Sequence, residues 1–260
     1  MTPETAAEIA AYVGAAAWLP QIIGWVYNYF TKPRVLLLND GNAELGFTTF
    51  GPIFNLRLAF SASKKDAIID DLKVVLTHEN GDKHIFRWIG YTETFSEIRD
   101  FAGNRQRVEK DQVAIAIKIS TANLLEKFVR FNDLAFQDEI KDVWRLGQEH
   151  LEYLKTADPE KFREIALKSK QYSDILAIHK KHLWWQEGKY TFRFLASSLN
   201  DAVIENQSFQ FVLTKADVEA LQQNNELLPK VYQNTVNIGL VGYKDEPIPW
   251  NWRTVQVSKC

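Results

Sequence analysis

Apolar and polar residues alternate with a period of two along much of this chain, and with helical spacing along one long stretch. Phe54, Leu56, Leu58 and Phe60 alternate with Asn55, Arg57 and Ala59. Val113, Ile115, Ile117 and Ile119 alternate with Ala114, Ala116 and Lys118, Tyr190, Phe192 and Phe194 with Thr191 and Arg193, and Phe209, Phe211 and Leu213 with Gln210 and Val212. That period puts one set of side chains on a buried face and predicts strands. Apolar runs at residues 35–38, 72–77 and 84–89 predict further short strands. Turn signals separate them: Asn39-Asp40-Gly41-Asn42, the polar residues 61–66, Asn80-Gly81 and Gly103-Asn104.

Over residues 121–187 the period changes. This stretch is rich in good helix formers, and Phe136, Ile140, Val143, Trp144, Leu151 and Leu154 fall three and four apart. Asp158-Pro159-Glu160 breaks the pattern, and a second helix carries Phe162, Ile165, Ala166, Ile175, Leu176 and Ile178. Two helices joined by a short turn form a helical hairpin. Strands resume after it, residues 215–223 read as a short helix, and the signal beyond Asn224 is poor.

The fold these elements predict is mainly β with α: an immunoglobulin-like β-sandwich over residues 34–214, with the helical hairpin inserted at 121–187. The alternative is an α+β sheet packed on the hairpin. Residues 215–260 are expected as a short helix and an irregular tail, with Pro247, Pro249, Trp250 and Trp252, packing on the domain.

Residues 1–31 stand apart. From Ile9 to Phe30 there is no charge, a length that matches the roughly 20 residues a helix needs to cross a bilayer. Trp25, Tyr27 and Tyr29 suit an aromatic belt, and Lys32 and Arg34 follow at once. Pro20, Gln21 and Asn28 oppose insertion, so an interfacial or protein-buried helix, kinked at Pro20, competes with a single transmembrane helix. A cleaved signal peptide fits less well, because Glu4 and Glu8 replace its basic start. Basic residues on the C-terminal side put the remaining domain in the cytoplasm, at a bacterial inner membrane. Ala6, Ala10 and Gly14 recur every four residues, a spacing through which membrane helices self-associate into homo-oligomers.

An apolar helix, then Phe30-Thr31-Lys32-Pro33-Arg34, a strand, and a second strand led by Gly51-Pro52-Ile53-Phe54, resembles a group of uncharacterised bacterial proteins that pair an N-terminal anchor with an immunoglobulin-like domain. The likeness covers residues 9–90. It implies an architecture and no activity.

Composition narrows the function. An apolar fraction of 46% with 25% charged residues marks a globular protein, and a net charge of −2 gives no basic surplus for nucleic acid. The one cysteine, Cys260, rules out a disulfide within the chain. No phosphate loop, dinucleotide fingerprint or Gly-x-Ser-x-Gly elbow occurs. His78, Glu79 and His84 flank the Asn80-Gly81 turn, and His179 and His182 lie three apart on a helix. Both groups read better as solvated polar ends than as metal sites. No catalytic, cofactor-binding or metal-binding residue is assigned, and no cofactor is expected. Trp184 and Trp185, with Lys180 and Lys181 nearby, form the most unusual cluster: either a surface for an unknown protein partner, or one ring packed inward and one covering the hairpin base. The expectation is a non-enzymatic interaction or sensing module, tethered to membrane lipid through residues 9–30. The alternatives are a membrane-active effector of a bacterial defence or toxin system that oligomerises through its N-terminal helix, and an enzyme with no recognisable motif.

Overall fold

The computed structural model describes residues 3–99, 105–205, 207–238 and 243–260, with side chains omitted for 3–13, 15, 28, 94–99 and 105–109. The expected turn at Gly103-Asn104 lies outside the described residues. The protein is mixed α/β with one large sheet.

Strand β1 (Arg34–Thr48) is far longer than the run at 35–38 predicts. The Asn39-Asp40-Gly41-Asn42 signal does not end it. Asn39 Oδ1 accepts from the Gly41 amide at 2.8 Å and Asp40 Oδ1 from the Asn42 amide at 3.0 Å, with Gly41 at φ +89. The register with the next strand shifts between Asn39 and Ala43, so the turn chemistry makes a bulge inside one strand. Thr49 and Phe50 then form a two-residue turn into β2 (Gly51–Ser63), with Thr48 paired to Gly51. The Asn80-Gly81 signal does make a hairpin, between β3 (Ala67–His78) and β4 (Lys83–Arg99). The Gly81 amide donates to the His78 carbonyl at 2.9 Å with Gly81 at φ +99, a left-handed conformation glycine adopts without penalty.

β5 (Arg105–Val113) pairs with β4 and β6 (Ile117–Ile119) with β3. β7 (Leu125–Asp133) corrects the sequence reading, which made residues 121–133 helical. Lys127, Val129 and Phe131 are buried in alternation along it, but a charged residue on the buried face, Lys127, and an apolar one on the other, Phe128, masked the period. β8 (Gly188–Ser198), β9 (Val203–Ile204) and β10 (Ser208–Leu213) follow the helices. The C-terminal segment, expected to be irregular, supplies β11 (Arg253–Gln256) and β12 (Ser258–Lys259).

The strand order is β11-β1-β2-β7-β4-β3-β8-β10-β12, antiparallel at every step. Only Val257 separates β11 from β12, so the two ends of the path are one stretch of chain and the sheet closes on itself. Val257 donates to the Gly41 carbonyl at 2.8 Å, and Cys260 to that of Ser208 at 2.9 Å. Hydrogen bonding thus runs through one continuous closed sheet, and the expected immunoglobulin-like sandwich is not confirmed. Closure removes, along that path, the free edges that would invite pairing with other chains. Aromatic rings fill the interior: Phe54 of β2 lies 5.1 Å from Phe192 of β8 and 5.8 Å from Phe211 of β10, across the sheet. Eight-stranded closure leaves room for side chains and little more.

The insertion runs from α2 (Leu134–Ala157) through α3 (Phe162–Leu167) to α4 (Lys170–Lys181). Asp133 caps α2, its Oδ1 accepting from the Phe136 amide at 2.9 Å. After β10 come α5 (Lys215–Gln223), capped by Thr214, and α6 (Leu228–Asn237). A second core unites Phe136, Ile140, Leu151 and Ile175 of the insertion with Tyr232 and Val236 of α6. The helices are therefore a layer built from two distant parts of the chain rather than a free-standing hairpin.

At the other end, α1 (Pro3–Phe30) runs as one helix through Pro20. Trp18, Ile22, Ile23, Trp25, Val26, Tyr29 and Phe30 are all exposed along it. Among the described residues no helix is long and apolar enough to cross a membrane. Residues 9–13 of the expected span lie outside those with described side chains.

Candidate ligand cleft

The outer face of β1, β2 and β7 carries a row of polar side chains set by strand register. Glu44 pairs with Asn55, and Asn55 with Arg130. Directly opposed residues on one sheet face stand roughly 5 Å apart, so the three head groups share one small area. Arg130 pairs onward with Gly90 of β4. A Cβ at Gly90 would meet Arg130 Nη2 at 3.1 Å, so the missing side chain leaves room for the guanidinium. Its Nη1 donates to Asp111 Oδ2 at 3.0 Å.

This row forms the floor of a cleft of about 450 Å³. Trp250 and Trp252 line it from the segment before β11, with Ile53, Phe128, Ile89 and the Thr49-Phe50 turn completing the wall. Trp252 sits against Gly46 of β1. Asn224, fully buried, holds the Trp segment: its Nδ2 donates to the Asn251 carbonyl at 2.8 Å, and its Oδ1 accepts the Asn251 amide at 2.7 Å. A neighbouring groove of about 520 Å³, between α2 and α6, shares Thr49 and Phe50 with the cleft.

The electrostatics of the row are unfinished. Asn55 is 4% exposed, yet its Oδ1 has no hydrogen-bond partner among the described residues, and Arg130 Nε is buried without one as well. Most buried polar atoms are paired, so two orphans in one cleft ask for an explanation. Burial pushes the Glu44 carboxyl above the usual carboxylate range, and a hydrogen bond with Asn55 opposes the shift.

The Trp-Trp cluster expected at the hairpin base is divided by the fold. Trp185 is 1% exposed, inside the closed sheet, with its Nε1 donating to the Gly46 carbonyl at 3.3 Å. Trp184 is half-buried and stacks on His84, with centroids 3.4 Å apart and planes within 6°. The two indoles remain 4.4 Å apart, while Lys180 and Lys181 lie exposed at the end of α4. Lys181 is tied to Glu139 at 2.7 Å. Of the expected self-association row, the side chains of Ala6 and Ala10 lie outside the described residues, and Gly14 has open space around it.

His78, His179 and His182 are buried rather than solvated, and His84 is half-buried. His179, 1% exposed, has Nδ1 2.8 Å from the Ile175 carbonyl and Nε2 3.2 Å from that of Thr49. Burial is the larger influence and holds its pKa below the ordinary histidine value, although both carbonyls favour a proton. His182 lies 2.8 Å from Glu139 Oε2. That contact, with Lys181, holds the Glu139 carboxyl below the usual carboxylate range. His78 Nε2 lies 3.1 Å from the Glu187 carbonyl, so it and His84 engage different partners. Among the described residues no group of three His, Cys, Asp or Glu is placed to hold a metal ion.

Sequence reasoning missed Glu44, Arg130, Trp250 and Trp252 as a site. The alternation along β2 put Asn55 on the face opposite the core, but reading residues 121–133 as helix hid Arg130 from its neighbour. Compared with protein-family models, with curated proteins and with solved structures, the chain matches none.

Proposed function

We propose that this protein is a membrane-tethered, non-enzymatic interaction or sensing module, with α1 holding the closed sheet and its helical layer at the cytoplasmic side of a bacterial-type inner membrane. The observation that carries the reading is the set of exposed apolar side chains from Trp18 to Phe30 of α1. A contiguous apolar surface of that kind marks an interaction with membrane or partner. Lipid suits it better than a protein groove, for three reasons. The helix, at about 42 Å, is longer than the hydrocarbon layer of about 30 Å. Trp25, Tyr27, Tyr29 and Phe30 gather at its C-terminal end, where aromatic rings favour the headgroup region. Lys32 and Arg34 follow them directly. Pro20, Gln21 and Asn28 lower its hydropathy, so a helix lying in the interface satisfies the reading as well as one that spans.

The test is membrane fractionation. Full-length protein should stay in the pellet through high-salt and carbonate washes, and deletion of residues 1–31 should release a folded, soluble domain. A full-length protein that is monomeric and soluble without detergent would sink the tether. A soluble full-length oligomer, with α1 crosslinked to α1, would replace lipid by a second copy.

A further inference from the structure

We propose that the cleft over Glu44, Asn55 and Arg130 binds a small neutral molecule that carries a cyclic amide in a flat ring. The orphaned atoms define the polar half of that ligand. Asn55 Oδ1 is an acceptor without a donor, and Arg130 Nε a donor without an acceptor. Asn55 and Arg130 are register partners, so the two orphaned atoms belong to facing residues on one sheet face. A cyclic amide holds its N–H and C=O cis, on one edge, and meets both at once, whereas an open-chain amide is trans and points them apart. The Asp111 carboxylate occupies Arg130 Nη1, and Nε is left without an acceptor. A ligand that pairs both atoms recovers the free energy their burial costs the empty protein.

The ends of the row select for charge. An anion attracted to Arg130 would lie close to Glu44, and a cation attracted to Glu44 would lie close to Arg130, with a neutral amide between them. A neutral ligand avoids either repulsion. The walls select for shape: Trp250, Trp252 and Phe128 offer aromatic surface, against which a planar ring packs. The volume of about 450 Å³ falls in the range of small-molecule sites and suits a single ring system. A pyrimidine base carries this chemistry. The site makes no use of α1, so it stands or falls apart from the membrane tether.

The experiment is titration of the full-length protein in detergent, followed by calorimetry, with uracil and, as controls, N-acetylglucosamine, whose amide is trans, and glucose. Uracil should bind and neither control should. Asn55→Leu removes the orphaned acceptor and should weaken the bound probe at least about tenfold. Arg130→Lys, which keeps the charge beside Asp111 and lacks Nε, should weaken it likewise and serves if the first variant fails to fold. The proposal is overturned if uracil does not bind, if either control binds as well as uracil, or if a folded variant at either position binds as the native protein does.

Discussion

Trp252 packs face-on against Gly46. A Cβ built at Gly46 would lie 2.7 Å from Trp252 Cε3 and 2.9 Å from Cη2, closer than real side chains approach. The glycine has no turn to make. It sits mid-strand in β1, and its missing side chain lets the indole lie on the sheet beside the closing strand. Gly46→Val should push Trp252 away and cost about 1–3 kcal/mol of stability by overpacking. Urea unfolding measures that cost, and a blue shift of indole emission would show Trp252 moving into a more buried place instead. An unchanged unfolding midpoint would mean that the segment before β11 is loosely held.

Closure of the sheet depends on the last eight residues. Val255 is 6% exposed and belongs to the main core. Val255→Asp would bury an unpaired charge there and should destabilise by about 4 kcal/mol or more. Hydrogen exchange should then show lost protection in β1 and β10 together, because both lose a neighbour at once. Loss confined to residues 253–260 would mean that the sheet is stable when open.

The two tryptophans at the base of the helical layer should separate cleanly. Trp185→Ala empties a buried site and should cost about 3–5 kcal/mol. Trp184→Ala loses its stack on His84, about 0.5–1.5 kcal/mol, and its share of half-buried area. Chemical denaturation of both variants checks the order. A larger cost at Trp184 would contradict the burial seen here.

His179 should make stability depend on pH. Its folded pKa lies below the ordinary value, so the unfolded chain binds the proton first as pH falls. The stabilisation is present above about 6.5, begins to fall below that value and is lost at the folded pKa. His182 lies beside it and adds to the depression, the Ile175 and Thr49 carbonyls face its ring nitrogens, and the Phe47 and Phe136 rings pack against it. Glu139, also depressed, contributes a further loss only in more acidic solution, as pH falls through its folded pKa. Thermal melts between pH 8 and pH 5 should show the midpoint falling below about pH 6.5. His179→Gln should flatten that part of the curve, and an equal slope in the variant would place the titration elsewhere.

What the sequence determined by itself was local. The alternation at Phe54–Phe60, Tyr190–Phe194 and Phe209–Leu213 identified strands and their inward faces, because a period of two is a property of the strand alone. The Asn80-Gly81 hairpin and the helices around Phe136–Leu154 and Ile175–Ile178 were legible for the same reason. The charge-free stretch before Lys32 was legible as a helix. Tertiary structure decided whatever rests on pairing between distant segments. Asn39–Asn42 is turn chemistry in isolation, and becomes a bulge because β2 and β11 hold the strand on either side. Residues 125–133 carry too much charge to look like a strand, and become one because β2 and β4 both supply hydrogen bonds. Residues 253–259 have no strong pattern, and become strands because β1 and β10 each lack a neighbour that they provide. The cleft belongs to this second class. Glu44, Asn55 and Arg130 are brought into one row by strand register, and register is an energy of the whole sheet that no single segment contains.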